Sequence, residues 1–347
     1  MRYSFRLLAL SLLFIPFALA SANTPTATSY NDQSLPVSVL DSPELMPEVW
    51  LGGSNSSVYG FVAHSQYANY LSPEDALALQ LDYGSRQFRM GLSWAHELNE
   101  QQRLKISVQH LSQDNNFDFV TGTDHQFIGQ NSAGIAYEYA LQRRFLEAIH
   151  VNGYYFSANN GNLDNVTYIT PAGKFVDNRT LIGGTGGGLG IGPRWKLWPG
   201  SQIEMTLGYD TVNFDTHNQA AKNSSGFGQN LYFTQRIAKN LAVELTVSRR
   251  QPYKQYGASV NWAFYQKPGR TLGLQVQASH LDSNVLPAGN ENIVGLNLFY
   301  QWGGNKDRGN ALCFKGDTSC DLLNWSARSA AYMPGVFVQQ DESVVLK

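Results

Sequence analysis

The chain has 347 residues, a net charge of −2, 12% aromatic residues and only 15% charged ones, yet its mean hydropathy is slightly negative. An ordinary soluble domain carries about 25% charge. This balance excludes intrinsic disorder. The lack of repeated apolar runs of about 20 residues excludes a polytopic helical membrane protein, and near-neutrality argues against a nucleic-acid binder. A membrane-spanning β-barrel fits, because it hides its hydrophobicity in every second residue.

The chain opens with Arg2 and Arg6 before an uncharged apolar run, Leu7 to Ala20. Small-x-small sites follow at Ala18-Leu19-Ala20 and Ala20-Ser21-Ala22. This predicts a cleavable signal peptide over 1–22 and export. Residues 23–75 begin rich in Ser, Thr, Asn and Pro and read as a periplasmic leader or plug segment.

From about residue 76 the text alternates with period two. Leu77, Leu79, Leu81 and Tyr83 interleave with Ala78, Gln80, Asp82 and Gly84, and the same rhythm recurs along 87–97, 102–112, 201–213, 240–250, 254–265 and 270–281. One phase is apolar and ends in aromatics; the other is polar or Gly. The fold predicted is all-β, a transmembrane antiparallel up-and-down barrel of about twelve strands over 76–302. Short turns alternate with longer polar links, so both ends of the wall are placed in the periplasm. Residues 56–66 are strand-like too. Alone they give thirteen strands; with 46–52 they give fourteen.

The apolar phase places Tyr83, Trp94, Tyr209, Trp262, Phe264, Tyr300 and Trp302 at the membrane interfaces. The polar phase places Asp82, Arg89, Lys105, Glu138, Glu204, Asp210, Arg236 and Glu244 in the lumen, with mixed signs that form no single-charge selectivity ring. Seven glycines between Gly183 and Gly192 open one strand and make room for a segment inside the lumen. His110 and Ser112 share the lipid-facing phase near a strand end, where a His base could activate a hydroxyl. The pair resembles the His-x-Ser of twelve-stranded outer-membrane phospholipases, without their Ser-Asn-Gly continuation.

The last wall strand ends Leu298, Tyr300, Trp302 after Gly295, similar to the assembly signal of outer-membrane proteins, but a tail over 303–347 follows. In that tail Cys313 and Cys320 are expected to close a small disulfide loop in an oxidising compartment.

The stretches Gly134–Tyr139 and Val151–Phe156, with the tail Val338–Lys347, resemble the β-domain of inverse autotransporters, the intimin and invasin relatives. Gln340 stands where that family usually has Arg. The resemblance implies a periplasmic leader, a twelve-stranded barrel and a chain that threads back through the pore; no immunoglobulin-like repeats follow here. Three functions come from this reading: a narrow pore or surface scaffold occluded by leader or tail, a passenger-less translocator or adhesin relative, and an outer-membrane lipid hydrolase. The expected location is the bacterial outer membrane. Expected partners are its lipids, the barrel-assembly machinery, periplasmic chaperones, and small solutes or host and surface ligands. No nucleic acid, cofactor or metal is expected.

Overall fold

The structure, a computed structural model, describes residues 47–119, 122–141, 145–162, 164–215, 223–267, 270–283, 289–302 and 322–346. The signal peptide, residues 23–46 of the leader and the Cys313/Cys320 pair lie outside the described residues.

In chain order the strands are β1 (Glu48–Ser56), β2 (Gly60–Ser72), β3 (Asp75–Gly84), β4 (Gln87–Asn99), β5 (Gln102–Phe119), β6 (Gly122–Ala140), β7 (Leu146–Ala158), β8 (Asp164–Thr170), β9 (Gly173–Trp195), β10 (Ser201–Phe214), β11 (Ser224–Ala238), β12 (Leu241–Arg249), β13 (Lys254–Lys267), β14 (Arg270–Asp282) and β15 (Asn290–Trp302). A short helix, α1 (Leu322–Ala327), and β16 (Val338–Leu346) form the tail. Each wall strand pairs antiparallel with the next, β10 closes on β9, and β15 closes on β1 from Glu48↔Gln301 to Ser56↔Ile293. Leaving out β8 and β16, fourteen strands form the ring, and no edge remains in it.

The count is fourteen, the alternative in which 46–52 pairs with 56–66, rather than twelve, and the wall begins at Glu48 rather than at residue 76. The signal was lost because β1 carries Gly52, Gly53, Ser54 and Ser56 where a clear strand would alternate large apolar with polar residues. Residues 113–130 and 158–181, expected as polar links, hold strand as well. β5 and β6 stay paired up to Phe119↔Gly122, and the first part of β9 pairs with β8. These extensions carry no apolar phase, so periodicity alone reads them as loops.

The alternation sorts side chains as expected. On β3, Ala76, Ala78 and Asp82 are buried while Leu79 and Tyr83 are exposed. Met90, Leu92, Ile106, Val108, Ile135, Leu189, Leu207, Val260, Val276 and Leu298 likewise face outward, and Ser93, Lys105, Ser107, Gln109, Thr206, Asn261 and Gln275 face inward. A protein with apolar residues outside and charges inside has its polarity inverted relative to a water-soluble fold, as a transmembrane barrel requires. The chain is an outer-membrane β-barrel of the bacterial type.

Both ends of the wall, Glu48 and Trp302, lie at the rim where β2 gives way to β3, β4 to β5, β6 to β7, β9 to β10, β11 to β12 and β13 to β14. In bacterial outer-membrane barrels the rim of short turns is the periplasmic one, and this rim takes that name. The opposite rim carries the tall β5–β6 hairpin, the end of β10 and start of β11, the end of β14 and start of β15, and an extension of β9. Residues 173–183 of β9 pair with neither β7 nor β10; they take β8 on one side and β16 on the other.

Candidate functional site: the occupied lumen

The tail lies inside the ring. At the periplasmic end α1 packs Leu322, Trp325 and Ala327 against Ala68, Ala76, Ala78 and Ala95 of β2, β3 and β4. Small residues on three neighbouring strands leave the width a helix needs. The chain then runs extended toward the outer rim. Met333 and Phe337 join Phe156, Ile182, Val212 and Phe214, while Val336 and Val338 join Leu111, Ile128, Ala158 and Leu181.

An extended segment inside a barrel brings backbone polar groups that need partners. Wall side chains supply them in order. Gln66 Nε2 donates to Ala327 O at 2.6 Å, and Lys105 Nζ donates to Trp325 O at 3.0 Å and to Arg328 O at 2.5 Å. Ser107 Oγ accepts from Ala330 N at 3.0 Å, and Ser132 Oγ donates to Ala331 O at 2.9 Å. Arg89 Nη2 donates to Met333 O at 3.1 Å. Gln113 accepts from Val336 N and Gln130 from Phe337 N, each at 2.9 Å, and Gln130 also donates to Gly335 O at 3.2 Å. Phe337 O then accepts from Gly184 N at 2.8 Å, which starts the β16–β9 ladder. At the point of closest approach a Cβ on Gly134 would lie 2.6 Å from the backbone of Ala330, so only glycine admits the tail there.

The glycine stretch works less directly than expected. A Cβ on Gly188 would lie 2.2 Å from Asp210 Oδ1 and 2.8 Å from Tyr154, and one on Gly186 would lie 2.8 Å from Phe156. The space is filled by side chains of the flanking strands. Tyr154 crosses Gly188 to donate to Asp210 at 2.8 Å, and Phe156 forms the shelf on which Phe337 rests, ring centres 4.8 Å apart. Gly184, whose Cβ would lie 3.2 Å from Phe337 O, and Gly183, which pairs with Val338, are the two that meet the tail.

The charges sit in compensated groups. Arg194 bridges Glu138 and Glu204 across β6, β9 and β10, and Arg328 of the tail reaches Glu204 at 3.6 Å. Arg250 clamps Asp210 and lies over the Tyr154 ring at 5.0 Å. Arg89 pairs with Asp82 at 3.1 Å and lies 4.8 Å from the Tyr332 ring centre. Mixed signs in a desolvated interior are stable only when paired and hydrogen-bonded. On the outer link 250–253, burial pushes the Tyr253 phenol up to about 12, so it stays neutral there.

Of the residues read from sequence, Asp82, Arg89, Lys105, Glu138, Glu204 and Asp210 are buried in the lumen, and Glu244 lines its open part. Arg236 stands at the periplasmic rim, its backbone N donating to Gly200 O at 2.7 Å. Sequence reasoning missed Arg194, Arg250, Arg328 and His64. Arg194 continues the even-numbered phase of the glycine strand and was findable; Arg328 belongs to a tail with no strand pattern. Tyr83, Tyr209, Trp262 and Phe264 are exposed on the outer surface, while Trp94 and Tyr300 are half-buried; Trp302 closes β15 opposite Arg270. His110 faces outward, its Nδ1 2.8 Å from Asn131 Oδ1, and among the described residues it makes no hydrogen bond to Ser112.

The tail occupies one side of the lumen. Beside it, between β1–β4 and β11–β15, a cavity of about 370 Å³ remains, lined by Ser, Thr, Asn and Gln together with Asp82, Arg89, Glu244 and Glu291, with Arg328 and Tyr332 of the tail on one wall. Trp50 and Phe299, stacked at 4.4 Å over Gly273 with Ala242 and Ala263 beside them, form an apolar floor at the periplasmic end.

No protein-family description and no curated protein matches the chain. Among solved structures it is similar in fold to the CymD monoaromatic hydrocarbon channel, at 9% identity over 77% of this chain and 90% of that one, TM-score 0.48. It is similar to the toluene transporter TbuX of Ralstonia pickettii, at 10% identity over 77% and 93%, TM-score 0.42. A third similar structure is the translocator domain of the autotransporter NalP from Neisseria meningitidis, at 9% identity over 74% and 88%, TM-score 0.37.

Proposed function

We propose that this outer-membrane barrel is a self-occluded pore that carries its own C-terminal segment through the lumen to the outer face. The observation that supports this most is the unbroken series of wall-to-tail hydrogen bonds from Gln66 to Gly184. A barrel of fourteen strands encloses more width than side chains alone fill, and here a chain segment fills one side of it. The pathway left beside the tail is narrow, polar and floored by Trp50 and Phe299. Small polar solutes and ions are the cargo that such a lining admits. Planar-bilayer recording tests the reading. The full chain is expected to show little or small conductance, and deletion of 322–347 a large, persistent one. Equal conductance of the two would refute occlusion by the tail.

The pairing of β16 with the part of β9 outside the wall favours a second role, presentation of the tail at the surface. A peptide tag placed after Lys347 is then stained on intact cells. Staining seen only after permeabilisation counts against it.

A further inference from the structure

Three lumen-facing residues on consecutive strands stand in an arrangement that charge compensation does not require. Asp82 of β3 lies directly across from His64 of β2, and Ser54 of β1 is the diagonal neighbour of His64, which faces Gly52. Ser54 Oγ is 2.5 Å from His64 Nε2, and His64 Nδ1 is 3.1 Å from Asp82 Oδ1. The second carboxylate oxygen of Asp82 accepts from Arg89 at 3.1 Å and from Gln80 at 3.0 Å. Asp82 is therefore fixed on both sides and holds the Nδ1 proton of the imidazole. That leaves Nε2 as the acceptor for the Ser54 hydroxyl proton, the relation that makes a serine nucleophilic.

Ser54, His64 and Asp82 all border the 370 Å³ cavity. A developing oxyanion needs a donor nearby. Gly295 pairs with Ser54 on one side and Gln277 on the other, and a Cβ there would be 2.6 Å from Gln277 Nε2, so the Gln277 amide lies over the residue opposite Ser54.

We propose that Ser54 and His64, positioned by Asp82, form a lumenal esterase centre for small, water-soluble carboxylic esters. Ser54 Oγ bonds to the ester carbonyl carbon as its proton passes to His64 Nε2. The carbon–alkoxy bond breaks, and His64 returns that proton to the departing alcohol. Water then adds to the acyl-serine, giving a proton to His64; the Ser54 Oγ–carbon bond breaks, the carboxylic acid leaves and the hydroxyl is restored. The substrate is bounded by the size of the cavity and by a polar lining in which Arg89, Glu244, Glu291 and Arg328 stand among Ser, Thr, Asn and Gln, which suits short acyl groups rather than lipid chains. This centre is separate from His110 and Ser112, which face the lipid.

The test uses the full chain in detergent or liposomes, with p-nitrophenyl acetate as substrate and diisopropyl fluorophosphate as label. Expected are saturable hydrolysis and a phosphoryl adduct on Ser54 found by mass spectrometry. Ser54→Ala loses the adduct, and it and His64→Gln lose about 10³-fold in kcat. Asp82→Asn lowers kcat with KM unchanged, as a positioning residue should. Heat-modifiable gel migration checks that each variant keeps its barrel. An unlabelled Ser54 in the wild-type chain, or wild-type hydrolysis equal to that of Ser54→Ala, overturns the proposal. The conductance comparison of the full chain with the chain lacking 322–347 is scored separately from ester hydrolysis and Ser54 labelling, which keeps this result independent of the occluded-pore reading.

Discussion

The ammonium of Lys105 sits 4.5 Å from the ring centre of Trp325 and donates to the carbonyl of the same residue at 3.0 Å. One wall cation thus grips both the side chain and the backbone of the tail helix. Lys105→Met keeps the bulk and removes the donor. A hydrogen bond from a charged group contributes about 2 kcal/mol, so the fraction of molecules with a displaced tail is expected to rise about 30-fold. Open probability in bilayers and protease cleavage of the tail both read it.

Gly134 gives a steric counterpart. Its Cβ position is taken by the Ala330 and Ala331 backbone, which cannot rotate away as a side chain can. Gly134→Val is expected to expel the tail from the lumen while the fourteen strands still close. Conductance should approach that of the chain lacking 322–347, with heat-modifiability intact.

Arg194 tests the electrostatic frame. It is buried between Glu138 and Glu204. Arg194→Met leaves Glu138 buried without its guanidinium, a change that costs about 3 kcal/mol or more. Urea-driven unfolding from lipid vesicles should show it, and Arg194→Met combined with Glu138→Gln should recover part of the loss.

Leu207 lies mid-strand on β10 with its side chain outward. Leu207→Arg puts a charge into the lipid phase and is expected to destabilise the barrel by about 2–4 kcal/mol. The same unfolding assay measures it, and a change below 0.5 kcal/mol, the ordinary surface range, would contradict a lipid-facing position.

Much of the fold was legible because lipid enforces period two. β3, β4, β10 and β13 show it plainly. β1 did not, since Ser54 and Ser56 face the lumen and Gly53 and Asn55 interrupt the outward phase, leaving it only Val49 and Leu51 as large apolar residues. The extensions of β5, β6 and β9 leave the membrane and with it the constraint that writes the pattern. The lumen charges followed from phase alone, but their partners did not: Arg194 to Glu138 and Lys105 to Trp325 join residues far apart in sequence. His64 and Ser54 stood in a segment read as leader, so their meeting with Asp82 had no expression in the linear text.

The ladder between β16 and β9 runs through nine consecutive pairs, Val338↔Gly183 to Leu346↔Phe175, all outside the ring. It acts as a stop on a thread. For the tail to slip back toward the periplasm, every one of those pairs must separate first, while a pull outward is resisted by the contacts inside the lumen and by the covalent continuity of the tail with Trp302. Mechanical load on the surface sheet and load from the periplasm therefore meet different resistances, and the barrel holds its C-terminal segment in the manner of a ratchet.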